Sequence, residues 1–187
     1  MNLDDTIAAV ATPAGSGGLG VVRLSGPAAL TIAARLFRGE PLDQAATHSL
    51  HHGTLRDGNI ILDDAVAAVF RSPRSYTGED VVELSCHGGS HILRGVLETC
   101  LRAGARLADP GEFTRRAFLN GKMDLAQAES VADLIAARSD SQHRLALNML
   151  RGELGRAVQP ARETLLHLLA HVEANLDFVE DEVPALT

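Results

Sequence analysis

The feature that most constrains the fold of this chain is a change of sequence period near Asp109-Pro110-Gly111. Before it, short runs rich in β-branched and apolar residues alternate with turn residues and two helical stretches. After it, apolar residues recur every three and four positions almost to the end. The first pattern predicts a mixed sheet with helices, the second a helical bundle, so the expected class is α+β. The expected domains are residues 1–118 and 119–187.

In the first part, residues 6–11, 19–24, 49–56, 60–62, 65–70 and 81–86 read as strands, giving a sheet of about five strands. Asp57-Gly58 is a hairpin signal between two of them. Residues 27–37 and 91–103 read as helices; Pro27 suits the start of the first, and Gly104 closes the second. In the second part Asp124 is placed to cap a helix carrying Leu125, Ala128, Val131, Leu134 and Ile135 on one face. Further helices are expected at 141–154 and 158–179. The last has Val158, Ala161, Leu165, Leu168, Val172, Leu176 and Val179 as its seam.

Residues 12–20, TPAGSGGLG, contain Gly15-x-Gly17-x-x-Gly20, the spacing of a dinucleotide-binding loop. That loop must open a helix whose N-terminus faces a pyrophosphate. Here VVRLSG follows, a strand-like run stopped early by Gly26. No Gly-Lys-Ser/Thr follows the glycines either. The segment therefore reads as a strand-to-strand connection.

Composition narrows the function. The 187 residues carry a net charge of −7, with no basic tract and only 3% aromatic residues. A nucleic-acid surface needs a positive footprint or stacking rings, and this composition argues against both. Two cysteines, Cys86 and Cys100, are too few for a disulfide scaffold. The start MNLDD lacks an apolar signal region, and no apolar run is long enough to span a bilayer. The expected location is cytoplasmic, with no membrane contact. His87 and His91 are four apart, as are His167 and His171, but neither pair is HExxH, so no metal site is expected. Cys86 and His87 face opposite sides of a strand and form no nucleophile pair. No catalytic residue is assigned.

Three charged residues stand out. Glu83 lies inside the apolar strand VVELSC, where a carboxylate either faces solvent or accepts parallel N–H bonds from a planar heterocycle. Arg23 is the single charge in GVVRLSG, directly after the glycine loop. Lys122 sits at the helix break made by Asn120-Gly121, either solvated or within reach of an anion. Arg23 and Glu83, opposite charges on two strands beside glycine-rich loops, make a polar pocket plausible.

DTIAAVATPAGSGGLGVVRLSG, SYTGEDVVELSCHGG and PGEFTRRAFLNGKMDLAQAESVADLI resemble the N-terminal region of the bacterial tRNA-modification GTPase family known as MnmE or TrmE. The resemblance implies an N-terminal domain with the folate-binding fold of aminomethyltransferases, which binds 5-formyltetrahydrofolate and forms a homodimer. A helical domain follows, interrupted in the family by a GTPase domain that uses GTP, magnesium and potassium. With a flavoprotein of the MnmG (GidA) type, the family modifies the wobble uridine of tRNAs at C5. Carried over residue by residue, the folate contacts fall on Arg23, Glu83 and Lys122. This chain has no Walker loop, no Asn-Lys-x-Asp and no C-terminal Cys motif. It is therefore expected to hold an incomplete helical bundle, to lack GTP hydrolysis alone, and to bind tRNA weakly at most. Two other readings are a free-standing folate-dependent one-carbon transferase and a pure dimerisation module.

Overall fold

The computed structural model describes residues 4–177 and divides into two compact units between Met123 and Asp124. The boundary lies five residues beyond the expected one. Asn120 and Lys122 explain this: they hydrogen-bond back to Thr77 O (2.7 Å) and Pro73 O (2.9 Å) of the first unit.

The first unit is one seven-stranded sheet in the order β3-β4-β5-β6-β2-β1-β7. Its strands are β1 (Ile7–Val10), β2 (Gly17–Ser25), β3 (Phe37–Arg38), β4 (Ser49–Asp57), β5 (Ile60–Phe70), β6 (Val81–Gly88) and β7 (Arg106–Leu107). All neighbours pair antiparallel except β1 and β7, so the sheet is mixed. The count exceeds the expected five because β3 and β7 have two residues each, too few to show alternation. They exist through register, Phe37 opposite Leu55 and Ile7 beside Arg106. Segments 60–62 and 65–70 are one strand, β5, and the hairpin turns at Gly58-Asn59, with Gly58 at φ 57°.

Helices α1 (Ala29–Leu36) and α2 (Ser90–Arg102) cover one face of the sheet. Val22, Leu24, Leu55, Val69, Val82 and Leu84 point into this core and meet Ile32, Leu36, Val96 and Cys100. The connection between β1 and β2 is the glycine loop. Gly17 opens a strand rather than a helix, so no dinucleotide cradle forms. At Gly20 an added Cβ would lie 2.7 Å from the Leu93 side chain, so glycine permits α2 to pack closely here.

The opposite face is covered at one end only. Ile7, Ser25 and Val81 share a register row and are buried. The 71–80 loop and α3 (Glu112–Leu119) are tied to this end by a buried ionic network. Arg116 is fully buried and donates to Asp5, Glu79 and Glu112; Arg106 donates to Glu112 at 2.6 and 3.0 Å. Ser25 Oγ reaches Glu79 Oε2 at 2.6 Å. Arg106, with help from the Asp109 N–H and Arg116, pulls the Glu112 carboxyl down to about 2 against the opposing effect of burial. Buried charges persist only when paired in this way.

The second unit has α4 (Leu125–Ala136), α5 (Asp140–Leu150) and α6 (Glu153–Asp177). Asp124 and Gln127 form a reciprocal capping box at the start of α4. Ser139 caps α5 through Gln142 N. Gly152, at φ 76°, stops the second helix near 151 rather than 154, and α6 starts five residues before the expected 158. Val179 and the side chain of Leu176, both counted in the seam, lie outside the described residues.

Candidate ligand site on the open sheet face

Arg23 and Glu83 are direct cross-strand neighbours on β2 and β6, on the face opposite α1 and α2. Arg23 donates to Glu83 Oε1 from Nε at 2.8 Å, and its Nη2 lies 2.7 Å from the same oxygen as an ion pair. Both contacts use one carboxylate oxygen; Oε2 takes no hydrogen bond among the described residues. Each side chain is 27% exposed. Their row continues through Ala68, which is buried, to Leu50, which is 73% exposed. The pair thus stands where the covered part of this face gives way to the open part.

Two rings flank the arginine. Its Cζ lies 5.5 Å from the centroid of Tyr76 and 5.4 Å from that of Phe113. Tyr76 comes from the 71–80 loop and Phe113 from α3. Tyr76 OH is fixed on Thr114 Oγ1 at 2.8 Å, and Ser75 Oγ donates to Glu79 O at 2.6 Å. Cation–π contacts within about 6 Å orient a guanidinium plane as well as attract it. Lys122 does not join the pair. Its Nζ donates to Pro73 O, and its stem crosses Gly78, whose added Cβ would meet Lys122 Cδ at 3.3 Å. Gly78 has φ 81°, so both its backbone and its space suit glycine. Two of the three expected residues are therefore in contact, and the third holds the same loop that carries Tyr76.

The thiols are inert. Burial pushes Cys86 up to about 11 and Cys100 up to about 12, far from the range of a reactive thiolate. His87 has a partner that sequence reading missed. Its ring Nδ1 lies 2.8 and 3.0 Å from the Asp63 carboxylate oxygens, and its backbone N–H donates to Asp63 Oδ2 at 2.7 Å. Burial opposes ionisation of Asp63, but the bonds from His87 outweigh it and hold the carboxyl below its usual value. Among the described residues no three His, Cys, Asp or Glu side chains converge as a metal site, and no helix is long and apolar enough to cross a membrane.

The missed residues Tyr76 and Phe113 have no periodic signature in the sequence. The one available signal was scarcity: the chain has a single Tyr, five Phe and no Trp.

Comparison with known proteins gives the family of the chain. Residues 6–122 match the family model described as the GTP-binding protein TrmE N-terminus, and residues 125–187 match the MnmE helical domain. The chain is 53% identical to the tRNA modification GTPase MnmE of Symbiobacterium thermophilum, over 98% of this chain and 41% of that protein. Identity is 47% to the protein of the same name from Bacillus velezensis, over 98% of this chain and 41% of the relative. It is 43% to that of Acetivibrio thermocellus, over 100% and 41%. The chain spans about two fifths of the length of these relatives.

Proposed function

The chain belongs to the MnmE (TrmE) family of tRNA-modification GTPases and matches the N-terminal part of its members, and on that premise we propose that it binds 5-formyltetrahydrofolate and forms a homodimer through the first unit. The observation that carries the folate reading is the Arg23–Glu83 pair, with Glu83 Oε2 unbonded among the described residues at the edge of the open sheet face. The pterin ring presents an N–H and an exocyclic amine side by side, and a carboxylate matches that edge. Arg23 holds the Glu83 carboxylate on the open face, and it offers N–H groups to a ligand carbonyl. Lys122 sets the position of the 71–80 loop and supplies positive charge to an anionic ligand.

In this reading the complete protein acts with an MnmG (GidA)-type flavoprotein on the wobble uridine of tRNA at C5. The folate supplies the one-carbon unit. GTP, magnesium and potassium belong to a GTPase domain whose motifs this chain lacks. The chain by itself then binds folate and dimerises without hydrolysing GTP.

Calorimetric titration of the 187-residue chain tests this directly. Saturable binding of 5-formyltetrahydrofolate is expected, with no heat from GTP and magnesium. Sedimentation at micromolar concentration is expected to give a dimer. Absence of folate binding to a folded dimer would leave the pure dimerisation module as the better account.

A further inference from the structure

Resting on the folate reading above, we propose that Tyr76 and Phe113 form, with Arg23, the stacking wall against which the flat ring of the bound folate lies. Aromatic residues are scarce in this chain: one Tyr, five Phe and no Trp among 187. Yet the single tyrosine and one of the phenylalanines converge on the same guanidinium, at 5.5 and 5.4 Å. They arrive from two separate elements, the 71–80 loop and α3.

The surrounding structure fixes both rings before any ligand arrives. Arg116, fully buried, joins Glu79 of the loop to Glu112 of the helix, one residue from Phe113. Tyr76 OH is held by Thr114, again on α3. Asn120 and Lys122 clamp Thr77 O and Pro73 O on either side of Tyr76. An ion pair between neighbouring strands needs none of this apparatus, because cross-strand register alone brings Arg23 and Glu83 together. Tyr76 nevertheless stays 37% exposed, with its hydroxyl bonded to Thr114 and its ring against the Arg23 guanidinium. An electron-rich phenol ring, a guanidinium plane and a carboxylate oxygen without a hydrogen bond among the described residues make a set suited to a planar heterocycle with an N–H edge. The wall thereby selects for the ring of the ligand rather than for its p-aminobenzoyl-glutamate tail.

The test uses the 187-residue chain and two probes, 5-formyltetrahydrofolate and p-aminobenzoyl-glutamate. Tyr76→Leu and Phe113→Leu should each weaken folate binding about tenfold, the size expected for losing one stacking partner. Tyr76→Phe keeps the ring and should stay within about threefold of the unmodified chain. The tail alone should bind weakly, and equally to every variant. Ring-13C-labelled tyrosine gives one signal per chain, and that signal should move on titration with folate in step with the calorimetric curve. The wall is overturned if either leucine variant, folded, binds folate as the unmodified chain does. It is also overturned if the tyrosine signal stays still at saturation, or if Tyr76→Phe loses as much affinity as Tyr76→Leu. Should a leucine variant fail to fold, the tyrosine signal of the unmodified chain decides. If the unmodified chain binds no folate at all, the functional reading falls and takes the wall with it.

Discussion

The two units of this chain solve the problem of burial differently. In the first, a sheet and two helices hide Val22, Leu24, Leu55, Val69, Val82 and Leu84 almost completely, and a second, ionic layer anchors α3 and the 71–80 loop on the other side. In the second, Ser130 and Ala146 are the buried residues among those described, while Leu165, Leu169 and Val172 of α6 are more than half exposed. Its helices are specified locally, by the Asp124–Gln127 capping box and by Ser139, rather than by a closed core. Helix identity is thus written in neighbouring residues. A binding site needs the long-range register found only in the first unit.

The contrast predicts a ranking of effects. Arg116→Leu should be the most damaging, because it takes away the cation that Glu79 faces and leaves Asp5 and Glu112 to Arg106. Breaking such a buried network costs roughly 3–5 kcal/mol, read as a lower urea midpoint. Next comes acid. The carboxyl of Glu112 titrates near 2 in the folded chain, below its ordinary 4.5. Its contribution, about 3 kcal/mol, is complete above pH 4.5 and is lost as pH falls toward 2. Urea midpoints measured between pH 6 and pH 2.5 should fall over that window, and Glu112→Gln should flatten the fall. The smallest effect belongs to the helical unit. Leu169→Ala should change stability by less than about 0.5 kcal/mol, whereas Leu24→Ala in the sheet core should cost roughly 2–5 kcal/mol. Equal costs for the two leucines would erase the distinction between the units.

Much of this was legible in the residues. Asp124 announces its helix, Asp57-Gly58 places a hairpin within one residue, and the isolated charges Arg23 and Glu83 mark the strands that carry the candidate site. What sequence could not supply was partnership. Two-residue strands have no period, so β3 and β7 emerge only from what they pair with. Glu112 reads as a helix-start residue, which it is. Its bonds to Arg106 and Arg116 depend on a fold that brings β7, α3 and the N-terminal segment together. Tyr76 and Phe113 lie far apart in sequence and meet only over Arg23. His87 shows no local sign of Asp63, from which it is separated by most of β5 and the 71–80 loop.

The central claim is that Glu83 serves a ligand rather than the sheet. Glu83→Ala, titrated with 5-formyltetrahydrofolate by calorimetry and melted in parallel, tests it most directly. Removing one partner of a desolvated charged hydrogen bond costs roughly 2–5 kcal/mol of binding, so affinity should fall by more than tenfold. Lys122→Ala should lose less, since its ammonium is engaged by a loop carbonyl. The melting midpoint of Glu83→Ala should stay close to that of the unmodified chain, because an ion pair exposed to this degree adds about 0–1 kcal/mol to stability. A folded Glu83→Ala chain that binds folate as tightly as the unmodified one would contradict the account and leave the Arg23–Glu83 pair as a structural contact on a sheet face.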